Sequence, residues 1–259
     1  MRSEDKDMEK LLTADSLCKT YILKGNSNNV LRGVDLEIGE GEFVCVMGPS
    51  GSGKSTLLYT ISGMDAMTSG KVEFDGRDIS ALGKKELAQL RLNEMGFIFQ
   101  QMYMLKKLCV LDNILLPGFQ ANSDRDKVRE RAEQLMRRLG IIECAEREIT
   151  EISGGQLQRA CLCRALINDP KMIFADEPTG ALNSKAADEV MRELTAANKG
   201  GTAVLMITHS VKVAAQSDRV LYLLDGDIQG EIKLGKLENE SDIAKREREL
   251  NTWLMDRGW

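Results

Sequence analysis

No stretch of this 259-residue chain approaches the run of about 18 apolar residues that a membrane-spanning helix requires. Any membrane contact is therefore expected to come through a partner. The opening segment from Met1 to Lys10 is of mixed charge and lacks the apolar run of a secretion signal, which predicts a chain that stays in the cytosol. Basic excess is also missing. Lys and Arg number 35 against 40 Asp and Glu, a formal charge of −5, which speaks against a protein that grips nucleic-acid phosphates. Six cysteines are scattered, and the one close pair, Cys161 and Cys163, falls in a helical stretch where residues two apart do not share a face. Small, half-buried thiols in a reducing compartment are the better reading there than a metal site. Internal repeats and low-complexity segments are absent, and His209 is the sole histidine.

What remains is an ordinary globular composition, 42% hydrophobic and 29% charged, in a length that suits one large domain or two integrated ones. Residues 12–47 read as short strands with turns, ending in the apolar run Phe43 to Met47. A Gly-rich turn and a helix from Lys54 to about Gly63 follow, then strands at 71–75 and 96–99. The middle changes character: Val128, Ala132, Leu135, Met136 and Leu139 recur at helical spacing from Asp124, and Gly140 stands where a helix stop belongs. No strand of comparable strength is expected between Gln100 and Asn168. Strands resume at 171–175, 203–207 and 220–224, with a helix from Ser184 to about Ala197 and a hairpin turn at Asp225-Gly-Asp. The order predicts an α/β fold with parallel strands, a small antiparallel β region and an inserted helical subdomain.

The strongest chemical signal is the run Gly48, Pro49, Ser50, Gly51, Ser52, Gly53, Lys54, Ser55 and Thr56, which fits G-x-x-x-x-G-K-[ST] between a buried strand and a helix. Glycines permit a turn that aims backbone N–H groups at phosphate oxygens, and the helix adds its positive end. Lys54 would reach the β- and γ-phosphates of a nucleotide, and the Ser55 hydroxyl would ligate Mg²⁺. Asp176 and Glu177 end an apolar strand. Taken alone they read as a solvated loop; beside a P-loop, Asp176 would serve the Mg²⁺ shell and Glu177 the attacking water. Ser153, Gly154, Gly155 and Gln156 open another helix. Alone this is a plain capped helix start, but a second anion-binding end in one chain hints that two chains share nucleotides.

Together these residues resemble the ATP-binding subunits of ABC transporters, over nearly all of the chain from about Leu12 to Leu234. Ser153 to Gln156 matches the signature motif, with Ile152 where Leu is commoner. The resemblance implies a RecA-like P-loop NTPase core that binds ATP and Mg²⁺. It makes Gln100 the glutamine that contacts Mg²⁺ and senses the transporter, Tyr21 the aromatic that stacks on adenine, and His209 the histidine that contacts the γ-phosphate. Ala181 to Asn183 resembles the loop that crosses the dimer interface, with Asn183 in place of the usual Asp. Two chains are implied to pack head to tail as a homodimer, each P-loop facing the other chain's Ser153 to Gly155. An integral membrane permease is the further partner, with the chain on the inner face of the membrane and its 103–108 segment against the permease; nucleic acid is not.

Stretches such as Asp78-Ile-Ser-Ala-Leu, Asn113-Ile-Leu-Leu-Pro117 and Asp176-Glu-Pro-Thr-Gly180 are similar to the branch serving lipoprotein release, macrolide efflux and antimicrobial-peptide resistance. The implied division is 1–99 and 167–235 for the ATP-binding core, 100–166 for the helical insertion and 236–259 for a C-terminal helical tail, which packs on its own domain in preference to a partner. A soluble ABC ATPase of DNA repair or translation is the competing reading, but the coiled coil, zinc modules or second cassette usual there do not fit. A dead nucleotide-binding scaffold is disfavoured because Lys54, Asp176, Glu177 and His209 are all present.

Overall fold

A computed structural model of the chain describes residues 9–23 and 25–259. The first eight residues, which carry most of the opening segment discussed above, lie outside them. β1 (Lys10–Leu23) and β2 (Asn26–Gly39) are each 14 residues long and pair antiparallel. They form one sheet with β4 (Ser69–Phe74) and the short β5 (Arg77–Asp78), in the order β2-β1-β4-β5. Two long strands therefore stand where the sequence suggested short ones. The reason is local: Asn26 to Asn29 is polar and exposed and imitates a turn, and register shifts around Leu17 break the alternation of β1.

The second sheet contains β3 (Phe43–Met47), β6 (Met95–Ile98), β7 (Met172–Asp176), β8 (Ala203–Ile207), β9 (Arg219–Leu224) and β10 (Asp227–Lys233), in the order β10-β9-β3-β8-β7-β6. All neighbours run parallel except the hairpin of β9 and β10. Both faces of this sheet are covered, which is why its central strands are unbroken apolar runs. Alternation divides each strand between two cores. Phe43, Cys45 and Met47 join the apolar cluster on one face, and Val44 and Val46 join the cluster shared with the antiparallel sheet.

α1 (Lys54–Ile61) follows β3, and α2 (Lys84–Glu94) precedes β6. Between β6 and β7 lie α3 (Val110–Ala121), α4 (Arg125–Arg138) and α5 (Gly154–Leu166), with a single turn of tighter helix at Ile142–Cys144. α4 is bounded as its sequence suggests: the Asp124 side chain caps it, and Gly140 just beyond takes φ +63. Ile114, Leu135 and Leu162 of these helices meet the same cluster as Phe43 and Ile173 of the sheet. α6 (Ser184–Lys199) links β7 to β8, and the short α7 (Val211–Ala214) links β8 to β9. α8 (Ile243–Met255) packs back on the chain itself, with Leu250 and Leu254 fully buried. Each such leucine contributes about 1.5–3 kcal/mol. The α/β architecture with a small antiparallel sheet and a helical insertion is the one expected.

Candidate active site

β3, β8 and β7 are neighbours and parallel, so whatever follows their carboxyl ends must converge. After β3 comes the loop 48–53. A Cβ on Gly48 would lie 2.0 Å from the Leu223 carbonyl oxygen of β9, so only glycine fits there. Gly53, with φ +102, starts α1 without any side-chain cap, which leaves the first N–H groups of the helix free of protein side chains. The Lys54 ammonium is buried and donates to the carbonyls of Gly48 and Pro49, each at 2.8 Å. Burial lowers its pKa, and the nearby carboxylates of Glu177 and Asp176 oppose that shift. Ser52 Oγ is buried without a hydrogen-bond partner in the same loop. A buried cation held by carbonyls and an orphaned hydroxyl beside open helix N–H groups are suited to a phosphate chain.

Asp176 closes β7 and is buried. Its Oδ1 accepts from Ser55 Oγ at 3.1 Å and its Oδ2 from the Tyr59 hydroxyl at 2.9 Å. Burial pushes the Tyr59 phenol pKa up, and Asp176 adds to the shift. Tyr59 escaped the sequence reading, although its position four residues after Ser55 puts both hydroxyls on one face of α1. The register of β7 and β8 pairs Asp176 with Ile207, which brings the next residues of each loop together. His209 Nε2 accordingly lies 2.8 Å from Glu177 Oε1. Glu177 itself takes φ +47, a left-handed conformation that is costly for a non-glycine residue, and its N–H donates to the Ile207 carbonyl at 3.0 Å.

Tyr21 stands on β1 beside this edge. Its hydroxyl donates to Asp65 Oδ2 at 2.6 Å, and the Lys19 ammonium lies 4.6 Å from its ring centre. Burial raises its pKa, Asp65 adds to that, and the Thr56 side chain acts in the opposite sense. Gln100 lies two residues past β6 and is exposed; among the described residues its side chain has no hydrogen bond to Ser55 or Asp176.

Ser153 and Gln156 form a reciprocal cap on α5: the Gln156 N–H donates to Ser153 Oγ at 3.3 Å, and the Ser153 N–H to Gln156 Oε1 at 2.9 Å. The concavity at this end is lined by Ser153, Gly154, Gly155, Asn183, Lys185 and Glu189, and no residue of the 48–56 loop lines it. Asn183 caps α6 by accepting from the Ala186 N–H at 3.0 Å, a task that Asn and Asp perform about equally well. The fold thus gathers Lys54, Ser55, Asp176, Glu177 and His209 at one edge, with Tyr21 beside them, and leaves Ser153 to Gln156 at another.

Comparison with known proteins supports one reading of this arrangement. Residues 31–180 match the family described as ABC transporter. The bacitracin export ATP-binding protein BceA of Halalkalibacterium halodurans is 42% identical over 239 residues, 91% of this chain and 94% of that one. The lipoprotein-releasing system ATP-binding protein LolD of Aquifex aeolicus is 39% identical over 225 residues, 87% of this chain and 99% of that one. Among solved structures, a dimeric post-hydrolysis state of the ATP-binding cassette MJ0796 bound to ADP and Pi is similar with a TM-score of 0.81 at 36% identity. It covers 87% of this chain and all of that one.

Proposed function

The chain belongs to the ABC transporter family, and from that premise we propose that its loop 48–56 holds the phosphates of ATP while Glu177 and His209 orient the water that attacks them. It is the ATP-binding and ATP-hydrolysing subunit of a transporter. One observation carries the assignment of residues: Ser55 is hydrogen-bonded to Asp176, and His209 Nε2 lies 2.8 Å from Glu177 Oε1, at the sheet edge where the glycine-rich loop opens α1. Phosphate oxygens take the N–H groups of the loop and of the first turn of α1. Lys54 exchanges the carbonyls of Gly48 and Pro49 for the β- and γ-phosphates, which relieves the burial of its charge. Glu177 accepts a hydrogen bond from the water, or its proton, while His209 fixes the direction of the carboxylate. Adenine stacks on Tyr21.

Mg²⁺ fits the donor set. Ser55 Oγ and the Asp176 carboxylate are hard oxygen ligands 3.1 Å apart, and Mg²⁺ takes few protein ligands besides waters and phosphate oxygens. Ser55, Asp176 and Gln100 are the residues that would hold it. When bound, the ion supplies positive charge against the phosphate oxygens.

A second copy of the chain completes the site by presenting its Ser153 to Gly155 end. The permease docks in the groove lined by Met64, Leu92, Phe99, Tyr103, Leu105 and Leu116, where Tyr103, Leu105 and Leu116 are about half exposed. Arg164 of α5 donates to the carbonyls of Met102 and Tyr103, both left-handed residues just past Gln100. A shift of the docked permease is thereby passed to the helix that begins at Ser153. The segment 100–166 acts in this way as a unit set against the core of 1–99 and 167–235. Among the described residues no helix is long and apolar enough to cross a membrane; the chain meets the inner face of the membrane through its permease. Given relatives named for bacitracin export and lipoprotein release, the cargo is a membrane-associated peptide, lipoprotein or similar molecule.

Glu177→Gln tests the core of this reading. The variant should bind ATP with near-parental affinity, lose at least about 100-fold in hydrolysis and accumulate as an ATP-bound dimer on size exclusion. Turnover at the parental rate would overturn the role of Glu177.

A further inference from the structure

α8 ends in a hydrogen-bonded reversal. Gly258 takes φ +81 and its N–H donates to the Met255 carbonyl at 3.1 Å, while the Trp259 N–H reaches the Leu254 carbonyl at 3.2 Å. This nested pair of bonds is the Schellman arrangement, which fixes the direction of the residue after the glycine. Leu254 is fully buried, as is Leu250 one turn earlier, so the reversal is anchored in the core. Trp259 is thereby carried to the edge where β8 ends. Its ring stacks on the His209 imidazole, with centroids 6.2 Å apart and planes at 25°, and meets Tyr222 edge-on at 6.3 Å. Tyr222 is buried in β9 and pairs with Met47, so the strand beside β3 props the tryptophan. Elsewhere on the same imidazole, Nε2 lies 2.8 Å from Glu177, and 45% of the His209 side chain is open to solvent.

We infer that Trp259 is a positioning residue for hydrolysis: its indole face restrains the His209 ring so that Nε2 stays on Glu177. Trp259 lies outside residues 31–180, where the family match falls. The inference rests on the reading of His209 and Glu177 given above. An aromatic pair of ordinary strength corresponds to about a three- to tenfold bias in an equilibrium, which sets the effect to look for.

The test uses the whole chain with ATP and Mg²⁺. Trp259→Ala should lower kcat about three- to tenfold with KM for ATP unchanged within about twofold, and Trp259→Phe should restore it. Because His209 is the only histidine, its ring C–H resonances identify themselves; they should move downfield in Trp259→Ala as the ring-current shift of the stacked indole is lost. Trp259→Leu keeps apolar bulk without the aromatic face and should repeat the kinetic loss at parental melting temperature. Met255→Ala, on the exposed side of the same helix end, should change none of these. A parental or raised kcat in Trp259→Ala and Trp259→Leu overturns the inference, as does a loss that tracks melting temperature and leaves the imidazole signals in place. His209→Ala separates the two layers. If it hydrolyses normally, the reading of the pair has failed; if it is crippled while Trp259→Ala is not, only the positioning role has.

Discussion

α1 and α5 both open on glycine-bearing turns, and they differ in what meets their first N–H groups. α1 starts from Gly53 with no side-chain cap, and Lys54, Asp176 and Glu177 surround it. α5 starts from Ser153, whose hydroxyl takes the Gln156 N–H while the Gln156 side chain takes the Ser153 N–H, and Asn183, Lys185 and Glu189 are its neighbours. The glycines differ too. A side chain at Gly48 would collide with β9, whereas a Cβ at Gly154 would meet nothing within 4 Å. Gly48 is required by the chain's own fold; the bareness of Gly154 is useful only to something that arrives from outside. The α1 end carries within one chain the groups that we propose for the phosphates. The other holds none of the hydrolytic groups and suits a cover for a partner's nucleotide.

The two helix ends differ most at Lys54. Lys54→Ala removes the cation from the α1 end and should lower ATP affinity at least about 100-fold, since charge-assisted bonds to two phosphates are lost together. Equilibrium binding of a fluorescent ATP analogue measures it, and affinity within a few-fold of the parent would mean that the phosphates lie elsewhere. Ser153→Arg should do the reverse. Monomer binding of ATP stays within about twofold, but an added guanidinium in the open concavity blocks closure, so ATP-dependent dimerisation disappears and hydrolysis falls by roughly 30- to 100-fold. A normal ATP-dependent dimer in Ser153→Arg would show that the α5 end takes no part in the interface.

The same contrast explains what the sequence could reveal. Loop 48–56 was legible because every part of its chemistry is local: an apolar strand, glycines, a lysine and a helix, all within one turn of chain. The start of α5 was legible for a similar reason, because Ser153 and Gln156 are a capping pair three residues apart. Asp176 and Glu177, which end an apolar run, could be assigned only beside the P-loop, and His209, which follows another, only through the family resemblance; that they come together follows from strand register, which no local pattern states. α2 was invisible. Leu90 is its only fully buried residue, so it carries no apolar periodicity to read. Tyr59 and Trp259 went unread because their meaning is tertiary: one serves a carboxylate 117 residues away, the other a histidine from a different helix end.

Tyr59 gives the smallest effect and the finest test of the α1 end. Both oxygens of Asp176 are engaged from α1, Oδ1 by Ser55 and Oδ2 by Tyr59. To hold Mg²⁺, Ser55 must turn its oxygen toward the ion, but Tyr59 need not move and can keep the carboxylate aimed. Since burial, with Asp176 adding, raises the Tyr59 pKa, its hydroxyl stays a proton donor across the neutral range, so the brace does not vary with pH there. Tyr59→Phe should therefore raise the half-saturating Mg²⁺ concentration for ATP hydrolysis about three- to tenfold, the equivalent of one hydrogen bond of about 1 kcal/mol. Turnover at saturating Mg²⁺ and ATP-dependent dimerisation should both remain parental, because nothing at the α5 end has changed. An unaltered Mg²⁺ titration would show that Asp176 needs no brace, and a loss of dimerisation would show that the two helix ends are coupled more tightly than their separate linings imply.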